Sequence, residues 1–171
     1  LEVDGHVINV FDSHNHTPVH PAPTAPHDHR WIKIRRPLVV VGGELTIESM
    51  DLTYDQTVKF YEAPFQVKSN GGTLLIDDFG RQRIQPRDLF NRWIIPLENR
   101  VDYLTLHTGK KIQVPFEQQL IFASNLSSSD FGEEAFLRRL GYRLAAASPS
   151  PDVYARIFRK YVEAQRLRYD P

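Results

Sequence analysis

Three short apolar runs constrain the fold of this chain more than any other feature of its sequence. They occupy residues 37–41, 73–76 and 120–123, and each is followed by glycine or by polar residues. A short, mostly aliphatic run of this kind is typical of a strand buried in a parallel sheet. Segments with other patterns separate the runs, and alternation of strands with helices favours an α/β fold whose sheet is mainly parallel.

The segments around these runs predict helices and hairpins. Apolar residues recur at helical spacing in four of them: 54–65, 86–97, 130–140 and 153–171. Pro96 should bend or end the second of these helices early, because proline lacks the backbone N–H group that a helix uses. Alternating patterns predict two hairpins, one in residues 1–11 around Asp4 and Gly5 and one in residues 101–116.

Composition excludes several classes of protein. Lysine plus arginine and aspartate plus glutamate both number 21 among 171 residues, so the formal net charge is zero. Such a balance argues against a dedicated binder of nucleic acid or of anionic membranes. The chain has no cysteine, which excludes disulfide scaffolds, thiolate zinc sites and cysteine nucleophiles.

The sequence gives no reason to expect secretion or a membrane span. No apolar run approaches the roughly 20 residues that a membrane span needs, and no charged-then-apolar leader opens the chain. We therefore expect a cytoplasmic protein. Because the first residue is Leu1 and not methionine, we also expect these residues to be a piece of a longer protein.

Residues 12–30 differ in kind from the rest of the chain. Prolines are too dense there for a helix or a sheet interior, which predicts an exposed loop or a disordered excursion. The segment also contains several histidines: His14, His16, His20, His27 and His29. Imidazoles bind Zn²⁺, Ni²⁺ and Cu²⁺, but structural zinc sites use fixed spacings and usually cysteine, so a solvated insertion is the favoured interpretation.

The strongest chemical signal is a pair of acids, Asp77 and Asp78, directly after the apolar run 73–76. Ligands bind at the carboxyl edge of open α/β sheets, where such a strand ends. One carboxylate can hold a hydrated Mg²⁺ ion, and the other can orient or deprotonate a water molecule. The alternative is an ordinary Asp-rich turn after a strand.

Two further features follow in the order that nucleotide chemistry requires. The run 120–123 ends at Ser124 and Asn125, where an amide can position a water molecule or a γ-phosphate. Arg138 and Arg139 come about a dozen residues later. A guanidinium in such a position suits a phosphate across a subunit boundary.

These motifs together resemble the second half of an AAA+ ATPase core, over residues 72–144. The segment 73–78 resembles the Walker B motif of this P-loop NTPase family, and 121–125 resembles its sensor-one strand. The segment 134–139 resembles the arginine-finger region.

Other segments narrow the resemblance within the family. Residues 91–98, the hairpin after them and residues 114–116 are similar to the insertion that MoxR-like and enhancer-binding members carry before sensor one. The ending 136–144 makes Arg143 a third candidate for the finger. Residues 12–16 and 36–44 add to these similarities. Taken together, the segments make the chain most similar to a bacterial group of ATPases with chaperone activity.

The resemblance implies a fold, an activity and partners. The fold is an incomplete P-loop sheet flanked by helices, with a hairpin insertion: residues 1–148 form the partial core and residues 149–171 begin a helical lid. The longer protein would bind ATP and Mg²⁺ and hydrolyse ATP in a ring of identical subunits, a hexamer, to remodel a protein partner. Membrane and nucleic-acid partners are not expected.

The same resemblance implies a role for each site residue. Asp77 would hold Mg²⁺ through water, Asp78 would polarise the attacking water, and Asn125 would place that water against the γ-phosphate. Arg138 and Arg139 would stabilise transition-state charge in the neighbouring subunit.

Two departures from the family pattern leave other functions open. Walker B motifs usually end in glutamate, whereas Asp78 is one methylene shorter. No Gly-x-x-x-x-Gly-Lys-Ser/Thr phosphate loop occurs in the 171 residues, so the chain alone should bind ATP weakly. A non-hydrolysing scaffold module is one alternative. A nucleic-acid-remodelling member is the other. It would require a basic hairpin, but the 101–116 hairpin carries Asp102 besides Lys110 and Lys111, so the sequence gives it little support.

Overall fold

The computed structural model of this chain describes residues 1–3, 5–19, 28–126 and 138–168. The chain divides into two units, Leu1–Arg139 and Leu140–Pro171, which are treated separately below. In the first unit the strands are β1 (Glu2–Val3), β2 (His6–Asn9), β3 (Leu38–Val41), β4 (Thr53–Asp55), β5 (Phe60–Glu62), β6 (Thr73–Ile76), β7 (Val101–Thr105), β8 (Lys111–Pro115) and β9 (Gln119–Phe122). Its helices are a 3-10 turn at Glu48–Met50, α1 (Phe65–Lys68) and α2 (Pro86–Asn99).

The three apolar runs form one parallel sheet, in the order β3-β6-β9. Val40 lies opposite Leu75, and Leu75 lies opposite Ile121, so the acids after β6 follow its central strand. The predicted α/β fold with parallel strands is confirmed at this level.

The prediction that these strands are fully buried is wrong. Val39 and Ile76 on one face are completely buried, but Leu38 on the other face is 58% exposed and Val40 is 49% exposed. Helix α2 covers only the first face, where its aromatic side chains pack against Phe122. A run of consecutive aliphatic residues therefore predicts these strands correctly, but it does not show that both faces of the sheet are buried.

A second sheet is mixed, in the order β1-β2-β5-β4. Strands β2 and β5 are parallel, and the other two pairs are antiparallel. The β1–β2 pair is the hairpin predicted for residues 1–11. Buried side chains of this sheet and of α1 pack against those of the β7–β8 hairpin. Together they form a single apolar cluster: Ile8, Tyr61, Ala63, Val67, Leu104, Leu106, Ile112 and Val114.

The helix predicted for residues 54–65 is wrong, because those residues form the β4–β5 hairpin. Tyr54 and Tyr61 lie opposite each other across the two strands. Asp55 begins the turn between them by accepting hydrogen bonds from the N–H groups of Thr57 and Val58. The tyrosines lie seven positions apart, a spacing that fits two helical turns as well as it fits this hairpin.

Pro96 does not end α2 as predicted. The helix continues to Asn99 and stops where Arg100 takes a left-handed conformation with φ of 58°. Because Pro96 lies in the last turn, its missing N–H removes one hydrogen bond and no further turn depends on it. The predicted 101–116 hairpin is confirmed, since β7 and β8 pair antiparallel over five residues each.

The start of the Pro/His-rich segment is built into the fold and is not the solvated loop that the sequence predicts. Asp12 N–H donates to Nδ1 of His16, and the other ring nitrogen, Nε2, lies 2.8 Å from the carbonyl oxygen of Lys68. The His16 side chain is buried. Pro18 then forms an isolated antiparallel bridge with Ile34. His20 and His27 lie outside the described residues.

The second unit contains helix α3 (Pro151–Ala164). Ser150 caps it, and its hydroxyl accepts a hydrogen bond from Val153 N–H at 3.4 Å. The predicted last helix is thus confirmed in its start, but it ends at Ala164 and not at the C-terminus. The helix predicted for residues 130–140 falls mostly in 127–137, outside the described residues.

Candidate functional site

Asp77 and Asp78 lie where the central strand of the parallel sheet leaves its neighbours. Asp77 N–H donates to the carbonyl oxygen of Val41 at 2.9 Å, which is the last bond to β3. On the other side, Ala123 N–H donates to the carbonyl oxygen of Ile76 at 2.9 Å. The backbone of the first acid is therefore fixed by the sheet, while both acids are exposed to solvent.

The chain turns sharply out of the strand at Asp78. This residue has a left-handed conformation with φ of 49°, which is uncommon outside glycine. Asp77 stabilises the turn, because its Oδ1 atom accepts a hydrogen bond from Asp78 N–H at 3.0 Å. Among the described residues, no side chain bonds to its second carboxylate oxygen or to the carboxylate of Asp78, so both can accept a ligand.

Gln82 holds this turn from inside and was not foreseen from the sequence. Its amide nitrogen donates to the carbonyl oxygen of Asp77, and its amide oxygen accepts from Gly80 N–H, both at 2.7 Å. Gln82 is buried although it stands between two exposed arginines. No motif marks such a residue, so the sequence carries no signal for it.

The end of β9 is tied to the same turn. Phe79 N–H donates to the carbonyl oxygen of Ala123 at 2.7 Å, and the hydroxyl of Ser124 donates to the carbonyl oxygen of Phe79 at 2.6 Å. Asn125 follows directly and is exposed. The fold therefore brings Asp77, Asp78 and Asn125 to one edge of the parallel sheet.

The candidate arginines are in different surroundings. Arg139 forms an ion pair with Glu98, near the end of α2, and its Nε atom lies 2.8 Å from Oε1 of that glutamate. Arg138 is exposed beside it. Arg143 belongs to the second unit and is also exposed.

The hairpin carries charges of two kinds. Lys110 and Lys111 are exposed at its turn. Asp102, on the same hairpin, is completely buried and forms two hydrogen bonds with the Arg92 guanidinium, at 2.5 and 3.0 Å. A bidentate pair of this kind neutralises the acid, so Asp102 serves the fold of the hairpin.

The donor set at the sheet edge fits a hydrated magnesium ion. Two carboxylates and one amide provide hard oxygen ligands, and Mg²⁺ keeps several waters while using one or two carboxylates. Within the described ranges, no group of three or more histidine, cysteine, aspartate or glutamate side chains could hold a metal ion. A metal site made of protein ligands alone is therefore not found among the described residues. A magnesium ion that also binds phosphate oxygens does not need three protein side chains.

Comparison with known proteins finds similarity among solved structures but none among family models or curated sequences. Among solved structures, the crystal structure of NtrX from Brucella abortus is similar, with 18% sequence identity and a TM-score of 0.47. The match covers 61% of this chain and 24% of that chain, so it concerns about a quarter of the other protein. No helix among the described residues is long and apolar enough to cross a membrane.

Proposed function

We propose that these residues are the C-terminal part of an AAA+ core that hydrolyses ATP and uses the turnover to remodel a protein partner. One observation carries the proposal: Asp77, Asp78 and Asn125 follow two neighbouring parallel strands at one edge of the sheet. Nucleotide phosphates and their magnesium ion bind at such edges. The order of acids, amide and arginines along the chain supports the same assignment.

Each residue has a role that its surroundings permit. Asp77 would hold Mg²⁺ through water, and one of its carboxylate oxygens already accepts the Asp78 N–H. When bound, the metal ion neutralises charge on the phosphate oxygens. Asp78 accepts a proton from the attacking water, and Asn125 orients that water by hydrogen bonding.

The proposed assembly is a ring of identical subunits, a hexamer. A guanidinium from Arg138 or Arg139 would reach the phosphates of the neighbouring subunit and stabilise the charge that develops on them. Arg143 is the third candidate. Phosphate binding also requires a glycine-rich loop with its lysine, a motif that these 171 residues do not contain.

A non-hydrolysing scaffold module is the second candidate function. The short Asp78 side chain favours it, because a carboxylate one methylene closer to the backbone must reach the water from a shifted position. The left-handed conformation at Asp78 also redirects the side chain where the strand ends. Turnover by the natural protein separates the two candidates.

The test compares Asp78→Asn with the unchanged protein, in the natural polypeptide that contains these residues. Loss of the base should lower the rate of phosphate release about 100-fold, while ATP binding stays equal or tightens. Glu117→Gln is the matched control, because that exposed acid lies before β9, at the opposite edge of the sheet. A wild-type protein that binds ATP without turnover would establish the scaffold, and equal turnover in Asp78→Asn would refute the assigned role.

The isolated chain provides a second test. Without a phosphate loop, the 171 residues should bind Mg·ATP no tighter than about 1 mM in calorimetry. Micromolar affinity would show that the phosphates are held by some other group of these residues.

A further inference from the structure

A pocket of about 410 Å³ opens between the β4–β5 hairpin, the turn at Glu48–Met50 and the end of β7. These elements differ from those that carry Asp77 and Asn125. We name it the Tyr54 pocket. It is independent of the proposed nucleotide site, and none of the motifs in the sequence points to it.

Aromatic rings form one wall of the Tyr54 pocket. The rings of Tyr54 and His107 are stacked, with centroids 4.2 Å apart and an angle of 14° between their planes. Tyr61 lies beside both, with its ring centroid 4.8 Å from that of Tyr54. Its hydroxyl group bonds to Nδ1 of His107 and accepts the His107 N–H at 3.1 Å. The wall is therefore fixed before any ligand arrives.

Two carboxylates lie at the same pocket. Asp51 is held in place because its Oδ1 atom accepts hydrogen bonds from Leu52 N–H and Thr105 N–H, both at 2.9 Å. Glu48 is exposed. Its own N–H and the hydroxyl of Thr46 lower the pKa of the Glu48 carboxyl, so it is ionised at neutral pH.

The remaining lining is mostly aliphatic: Ile47, Leu52 and Leu106. Among the described residues, no lysine or arginine lines the pocket. The combination of aromatic faces, two acids and aliphatic contacts suits one kind of ligand. The rings attract a cation through their faces, the carboxylates pair with it, and the aliphatic side chains cover an apolar stem.

We propose that the Tyr54 pocket binds a guanidinium group carried on an aliphatic stem. A planar guanidinium stacks flat on aromatic rings and pairs with carboxylates through a fork of N–H donors, whereas an ammonium group is a compact charge without that planar fork. The group can belong to an arginine side chain of a protein partner or to a free small amine. The chemistry recognised is the same in both cases.

The experiment measures binding of three probes to the full 171-residue chain by calorimetry and by NMR shifts of the Thr105 and His107 amides. The probes are N-acetyl-arginine methylamide, agmatine, and the neutral isostere N-acetyl-citrulline methylamide. We expect saturable binding of a guanidinium probe at sub-millimolar concentration, at least tenfold weaker binding of citrulline, and weaker binding at high salt. Preference for the arginine derivative identifies a side chain as the source, and preference for agmatine identifies a free amine.

Three variants complete the test. Glu48→Gln, at an exposed position that should not disturb folding, should weaken binding about fivefold. Tyr54→Leu should also weaken binding, because it removes one of the three rings of the wall. Glu117→Gln removes an exposed charge beyond β8, at the opposite end of the β7–β8 hairpin from Thr105 and His107, and should leave the affinity unchanged. Absence of saturable binding, equal affinity for citrulline, or equal effects of Glu48→Gln and Glu117→Gln would each overturn the proposal.

Discussion

Lys68 and Asp12 form an ion pair that is mostly withdrawn from solvent, with 3.0 Å between Nζ and Oδ2. The Lys68 side chain is only 9% exposed, and Glu62 is its second partner at 2.6 Å. Two carboxylates thus compensate one buried ammonium group. The pair joins the start of the Pro/His-rich segment to helix α1.

This ion pair predicts a loss of stability in acid. Burial alone would raise the pKa of Asp12, but the N–H of His14 and the side chains of Lys68 and Asn15 lower it from 3.8 to about 2. A carboxyl whose pKa is lower in the folded state stabilises the fold above the unfolded value. That contribution should be lost as the pH falls from about 4 to about 2, which urea unfolding at several pH values can measure.

Asp12→Asn is the variant that isolates this effect. It should lower the free energy of unfolding at pH 7 by about 1–2 kcal/mol and remove the part of the acid loss that Asp12 causes. Asp28→Asn is the control, because the Asp28–Arg30 pair is exposed and should contribute little. Equal effects of the two variants would show that burial of the Lys68 pair does not matter.

His16 predicts a contrast between neighbouring histidines. A backbone amide can only donate, so Nδ1 of His16 accepts from Asp12 N–H and Nε2–H donates to the carbonyl oxygen of Lys68. His16→Ala leaves both backbone groups unpaired in a buried place and should cost about 2–3 kcal/mol. His14→Ala, whose side chain is 93% exposed, should change the free energy of unfolding by less than about 0.5 kcal/mol. Similar values for both variants would mean that the segment is solvated after all.

Gly72 predicts a large effect of one methyl group. A Cβ atom at this position would lie 2.1 Å from the carbonyl oxygen of Pro37, where β3 and β6 begin to pair. Gly72→Ala should therefore force the strands apart and cost about 2 kcal/mol or more in thermal or chemical unfolding. At Gly43 the nearest atom to an added Cβ is 3.9 Å away, so Gly43→Ala should be tolerated. Equal stability of the two variants would contradict the close approach.

Much of the fold follows from local patterns. The parallel strands and the hairpins were predictable because each depends on a short run of residues and on the turn after it. The prediction of a helix over residues 54–65 failed because a spacing of seven positions from Tyr54 to Tyr61 fits two helical turns as well as a hairpin. The turn chemistry of Asp55, with two hydrogen bonds to its own loop, was the signal that could have decided between them.

Long-range contacts were beyond local patterns. His16 is buried because its ring bonds to the carbonyl oxygen of Lys68, 52 residues away. Nothing near His16 in the sequence indicates this contact, so the prediction that His16 is solvated was wrong. Gln82 and the Tyr54 pocket depend in the same way on residues that only the fold brings together. At the candidate site, the sequence predicted the strand-end acids, whereas the turn that orients them depends on Gln82.

The Arg139–Glu98 pair makes the assignment of an arginine finger testable. If Arg139 acts in the neighbouring subunit, Arg139→Ala should reduce ATP turnover by the natural protein roughly 10³-fold or more, with binding by a lone subunit intact. Glu98→Gln should not reduce turnover, because it removes one partner of Arg139 within the chain and leaves the guanidinium in place. If Arg139 serves only this partly exposed pair, both variants should lose the same small stability, at most about 1 kcal/mol, and keep their turnover.

Mixing of subunits decides whether an arginine acts across the interface. Subunits with Arg139→Ala and an intact Asp78 are combined with Asp78→Asn subunits that keep the arginine. A subunit without its arginine then regains a complete site wherever its neighbour supplies one, so turnover should partly recover above that of either variant alone. The same mixture with Arg138→Ala tests the adjacent residue. If mixed assemblies form and remain inactive with both arginine variants, neither residue acts in a neighbouring site, and Arg143→Ala becomes the variant on which the finger assignment depends.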